Sequence, residues 1–190
     1  MKLHLLFACA LCAACCSERP TERPVDPAAA SIRATPLCED YAIFPAELGP
    51  QVRWLGYTGA VAYWTPTPLD VEPLESDASS LLAHGAAHPE QLDDHARDRP
   101  DYQEYLRGEI ELIRGRLGDY RRQYVGVIDD AGRRRILVRA FAGPRFDGGF
   151  EFERWREELA IVSDGGCWYW FAVYDPETKQ LVYFRSNGDA

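Results

Sequence analysis

The side chains best suited to chemistry gather between His84 and His95. His84, His88 and His95 fall there with Glu90, Asp93 and Asp94. Imidazole with carboxylate is the ligand set of zinc and similar ions and the acid–base pair of many hydrolases. The spacing argues against a metal centre. His84 and His88 would share a helix face only if Gly85 to Ala87 were helical; Gly85 disfavours that, and Pro89 disfavours helical geometry at His88 itself. No HExxH pattern is present. The segment therefore reads as a solvated acidic loop, and no metal or cofactor is expected.

Other candidates fare no better. Cys167 follows Gly165-Gly166 and Ser163 precedes Asp164, but Cys167 opens an apolar strand with no histidine nearby in sequence, and GxSxG is absent. A disulfide between Cys38 and Cys167, with Cys16 as rival partner, accounts better for the thiol. Closing so long a loop would stabilise the fold by about 4–5 kcal/mol in the chain-entropy model. The carboxylate pairs Asp93-Asp94, Asp129-Asp130 and Glu157-Glu158 read as solvated charge, and Arg133-Arg134-Arg135 as a balance to neighbouring acids. The loop from Gly143 to Gly149 lacks the Lys-Ser/Thr ending of a phosphate cradle. A net charge of -9 works against binding nucleic acid or an anionic lipid surface, so no nucleic-acid partner is expected.

Two stretches position these residues most clearly. From about Pro100 to Leu117, Tyr102, Leu106, Ile110, Ile113 and Leu117 recur at helical spacing, with Tyr105 and Leu112 widening the stripe. Gly118 is placed to end this helix in a left-handed cap, and Gly108 and Gly115 to let it approach a sheet closely. After it come two hairpins: Gln123–Ile128 with Arg135–Phe141 around Asp129–Gly132, then Cys167–Tyr174 with Gln180–Arg185 around Asp175–Lys179. In Trp168–Tyr174 both faces are apolar, so the strand is either central and covered or bares one face to a partner; covering is the commoner arrangement.

The preceding region is less regular. Arg53–Tyr57 and Gly59–Trp64 look extended, Pro66, Pro68 and Pro73 break regular structure, and Ser76 to His84 holds a short helical turn. Phe150–Leu159 fits a helical turn, and Leu159–Val162 a strand. The sum is an α+β fold, one main helix on an antiparallel sheet of about five strands in meander order. The layout is cystatin-like in shape, an analogy that implies no activity.

The N-terminus is a targeting segment. Lys2 precedes an apolar run from Leu5 to Ala14, closed by small residues and followed by Ser17-Glu18-Arg19-Pro20. Cys12-Ala13-Ala14-Cys15 resembles the bacterial lipobox, departing from it at Cys12, where leucine is usual. The resemblance implies a lipidated Cys15, with Cys16 as the alternative acceptor. Residues 1–14 are then a signal peptide, 15–36 a tether kept extended by Pro20, Pro24, Pro27 and Pro36, and 37–190 a single domain. The C-terminal Asp164-Gly-Gly-Cys167, Tyr174-Asp-Pro-Glu-Thr178 and Asn187-Gly188 resemble the end of an uncharacterised group of small secreted bacterial lipoproteins, which implies no activity. The expected function is a non-catalytic binding or interaction module, exported and lipid-anchored to a membrane of the cell envelope, whose partners are that membrane and a protein. The alternative is an envelope hydrolase or metal-dependent enzyme using His84–His95.

Overall fold

A computed structural model describes residues 35–36, 40–55, 57–145, 152–162 and 165–187. The chain divides into two units, Met1–Ala30 and Ser31–Ala190, and every described residue belongs to the second. The signal segment, most of the tether, and Cys15, Cys16, Cys38, Ser163 and Asp164 lie outside the described residues.

The fold is α+β: seven strands form one sheet, and two long helices cover one face. The strands are β1 (Thr35–Pro36), β2 (Tyr41–Phe44), β3 (Ala60–Trp64), β4 (Tyr120–Asp129), β5 (Arg134–Ala142), β6 (Tyr169–Asp175) and β7 (Gln180–Ser186). From β4 to β7 they follow in meander order, each antiparallel to the next. The sheet as a whole is mixed, which corrects the all-antiparallel expectation. Along the other edge of β4, β2 pairs in parallel with Arg122–Val125, and β3 pairs antiparallel with Gly126–Asp129. Close approach of β3 depends on Gly126, where an added Cβ would lie 2.3 Å from the Trp64 carbonyl oxygen. The indole N–H of Trp64 then donates to the carbonyls of Val127 and Arg135.

The helix expected from Pro100 is α2 (Pro100–Arg114), and its buried stripe is Leu106, Ile110 and Ile113. Its margins are narrower than the pattern suggested: Leu112 is 59% exposed and Tyr105 is 40% exposed. It stops at Gly115 in ordinary right-handed geometry, Gly118 has no positive φ, and Gly108 faces open space, so none of these glycines serves the role assigned from sequence.

The larger correction is α1 (Pro68–Ala87), where breaks and one short turn were expected. Pro68 occupies the first helical position, where its missing N–H costs nothing. Thr67 donates both its backbone N–H and its hydroxyl to Asp70, anchoring that end. Pro73, inside the second turn, is tolerated because Val71, Leu74, Leu82 and Ala86 bury one side of the helix.

Alternation along the strands assigns the two faces. Ile136, Val138, Ala140, Trp170, Ala172 and Tyr174 pack under the helices. Leu137, Phe141, Tyr169, Phe171 and Val173 pack beneath a 3-10 segment, Ala46–Leu55, and the irregular stretch around Trp155–Ala160. Arg53–Leu55 therefore ends a 3-10 segment rather than starting a strand, and Leu159–Val162 crosses the sheet without joining it. Every residue of β6 is buried, which resolves the aromatic strand as central and covered on both faces.

Candidate functional site

The histidine segment folds in a way its sequence concealed. α1 continues through Gly85 to Ala87, and the His88 N–H closes on the His84 and Gly85 carbonyls. Both imidazoles consequently share one face, their ring centres 4.9 Å apart, with His88 Nδ1 3.6 Å from Glu90. Gly85 is accommodated because its missing side chain makes room for Leu92, whose Cδ1 would lie 2.8 Å from an added Cβ. Among the described residues no three His, Cys, Asp or Glu side chains converge as a metal cage.

His95, Asp93 and Asp94 go elsewhere. With Tyr102 of α2 and Tyr183 and Arg185 of β7 they line a groove of about 400 Å³ at the sheet edge. The wall is held against β7 by the Phe184 N–H, which donates to the Leu92 carbonyl at 3.3 Å. Asp93 caps the short turn that follows it: one carboxylate oxygen accepts the His95 N–H at 2.8 Å and the other the Tyr102 hydroxyl at 3.2 Å. Asp94 is paired with Arg97 at 2.7 Å. Tyr183 stacks on Phe171, ring centres 5.4 Å apart, which fixes its ring as a rigid part of the wall. Arg185 is exposed and forms no ion pair with any described residue.

Burial, followed by the charge and hydrogen bond of Asp93, pushes the Tyr102 phenol up to about 12. Burial and Asp93 likewise raise Tyr183 against the opposing pull of Arg185. Both phenols therefore remain hydrogen-bond donors at neutral pH. Tyr120 and Tyr124 are raised as well, chiefly by burial. A phenol whose pKa is higher folded than unfolded contributes stability that is intact below the unfolded value, about 10, and is lost as pH rises above it. These phenols should accordingly add no pH dependence at neutral pH and should lower stability as pH rises above about 10. Parallel ultraviolet phenolate titration and urea melts would check this; buried phenols that ionise with the fold intact and stability unchanged would refute it.

The remaining candidates have structural positions. Asp129 accepts the Ala131 and Arg133 N–H groups in the first hairpin turn, and Arg135 bridges Asp129 at 3.6 Å and Asp175 at 2.5 Å. Arg133 pairs with Asp129, while Arg134 lies over the Trp64 ring. Glu157 and Glu158 both pair with Arg154. Cys167 is half-buried in a 3-10 turn, its carbonyl accepting the Tyr120 hydroxyl at 2.7 Å; the proposed partner Cys38 is outside the described residues.

Two buried polar side chains, Gln123 and Arg139, and the partly buried Arg122 escaped sequence reasoning. Gln123 clasps the 155–160 stretch, donating to the Trp155 and Glu158 carbonyls and accepting the Ala160 N–H. Arg139 is 1% exposed, and burial lowers it to about 10. It donates to the Ala160 carbonyl and to Asn187. Arg122 pairs with Glu75 of α1 on the other face. Only strand alternation could have flagged these, by placing polar residues in register with buried ones.

No family model matches the chain, and neither a search of curated proteins nor one of solved structures finds a match.

Proposed function

We propose that the protein is an exported lipoprotein whose domain is a non-catalytic binding module, with the groove between Asp93 and β7 as its ligand face. The observation that carries the reading is the composition of that groove. Tyr102 and Tyr183 offer ring edges, Tyr183 adds a phenol, Arg185 offers a cation that no described carboxylate engages, and Asp93 is already spent on two internal hydrogen bonds, one of them from the Tyr102 hydroxyl. Such a wall favours recognition over proton abstraction. It suits a small molecule or peptide end carrying a carboxylate beside an aromatic or apolar portion. The aromatic strand once considered as a binding face is core, so recognition moves to the β7 edge. The cystatin-like comparison remains one of shape, with the parallel β2 as its departure, and the likeness to small secreted lipoproteins accords with the address but adds no activity.

A chemical-shift titration with aromatic carboxylates and short peptides ending in glutamate tests the groove. Shifts should cluster at His95, Tyr102, Tyr183 and Arg185, and Arg185→Ala should weaken them about tenfold, the loss of one charge-assisted contact, while leaving the melting curve unchanged. Shifts confined to other surfaces, or none at millimolar probe, would overturn the reading.

The address rests on the apolar run ending in Ala13-Ala14-Cys15. Intact-mass analysis of the exported protein should find an acylated N-terminal cysteine, and Cys15→Ser with Cys16→Ser should abolish both acylation and membrane retention. A doubly substituted chain that is still acylated and membrane-bound would sink the proposal.

A further inference from the structure

His84 lies in the last turn of α1 and His88 caps its end, and both are exposed. The obstacles that the sequence raised against this pair are absent: Gly85 to Ala87 are helical, and Pro89 comes only after the helix has ended. Side chains four residues apart on a helical turn stand side by side, about 5–6 Å between Cβ atoms. The two ring centres are 4.9 Å apart, their planes inclined at 45°. Two imidazoles that hold one ion through bonds of about 2.1 Å place their ring centres about 5 Å apart at a near-tetrahedral angle. The pair thus stands at chelating separation.

The surroundings favour a cation. A Glu90 carboxylate oxygen lies 3.6 Å from His88 Nδ1. A carboxylate at one ring nitrogen is the usual support of a ligating histidine: it holds the N–H there and leaves the other nitrogen, here Nε2, for the ion. The pair also sits at the negative end of the α1 dipole. Arg107, which reaches the same turn by donating to the Ala86 carbonyl, is balanced by an ion pair with Glu104.

We infer that His84 and His88 chelate a divalent transition-metal ion, with Glu90 positioning the His88 ring. Among the described residues no third His, Cys, Asp or Glu joins the two rings as a ligand, so water fills the remaining positions. Imidazole nitrogens select zinc, nickel and copper over magnesium and calcium, which take oxygen ligands. Neither histidine lines the groove at β7, so this site stands or falls independently of the proposed ligand face.

The test is a titration of the full chain with zinc chloride, followed by NMR of the imidazole nitrogens, with magnesium chloride as the control. Zinc should shift His84 and His88 together, along one binding curve, and leave His95 in place; magnesium should move none of them. His84→Gln and His88→Gln should each weaken zinc binding at the remaining ring about a hundredfold, the loss of one arm of a chelate. Glu90→Ala should weaken binding about tenfold, the usual effect of removing a ligand's supporting carboxylate. In the metal-free chain the same substitution should also lower the share of His88 protonated at Nδ1, a signature that a merely structural role of Glu90 would not give. Zinc that shifts only one of the two imidazoles, or neither at millimolar concentration, would overturn the inference. So would a His84→Gln chain whose His88 binds zinc as tightly as the parent does.

Discussion

Ile110→Asp should abolish most of the cooperative melting of this domain, whereas Leu112→Asp, two residues along the same helix, should leave it nearly unchanged. Ile110 is completely buried under the sheet with Leu106 and Ile113, and it belongs to the cluster that joins both helices to β4–β7. A carboxylate there has neither water nor a cation, and the lost apolar contacts add to the burden, so a cost of about 4 kcal/mol or more is expected. Against a total of about 5–15 kcal/mol for a typical domain, that removes much of the margin. Leu112 is 59% exposed, and a charge there costs no more than about 0.5 kcal/mol. Circular dichroism during urea unfolding measures both. Equal midpoints for the two variants would mean that α2 does not pack as described.

That contrast also marks how far the pattern could be read. The stripe of α2 and the two hairpins were legible because long periodic runs sit between strong turn signals: Gly132 takes a φ of 77° and Lys179 one of 57° where the chain reverses. α1 was concealed by its own prolines. A proline reads as a breaker until its position relative to the helix start is known, and Pro68 falls at the one place where it is favoured. β2 was concealed by brevity: four residues, Tyr41–Phe44, gain strand character by lying between β1 and a parallel β4, the latter across a long separation in sequence.

The same separation hid the groove. Asp93 and His95 were singled out as chemical residues, but Tyr102, Tyr183 and Arg185 reach them only through the docking of α2 and the return of β7. Nothing local announces that assembly. Arg139 presents the opposite case, since its alternation with Leu137 and Phe141 pointed to the covered face, while its charge argued for solvent. Carbonyl oxygens of the irregular 160–162 stretch, which has no strand of its own to satisfy, supply what water would have supplied.

A large effect attached to an ionised group should follow Glu75→Ala. Arg122 donates through Nε and Nη2 to the two oxygens of Glu75 at 2.7 Å and 2.9 Å, and the Tyr124 hydroxyl donates to the same carboxylate. The arginine and glutamate side chains are 13% and 22% exposed, so the pair is largely removed from water. Burial alone would push the Arg122 guanidinium down, but the hydrogen bond and charge of Glu75 outweigh it and hold the group above its ordinary value. Deleting the carboxylate strands a cation on the helix side of β4 and leaves the buried Tyr124 hydroxyl without its acceptor. The Leu117 and Tyr120 carbonyls still receive the Nη1 donors, and the residual exposure admits some water. The expected loss is therefore near the low end for a broken buried pair, about 3 kcal/mol. Replacing both partners, Glu75→Leu with Arg122→Met, should recover a large part of it, because the charge requiring a counterion is then gone. Urea melts of the single and double variants decide the matter. A single variant as stable as the parent, or a double variant less stable than the single, would show that α1 is held to the sheet by its apolar side alone.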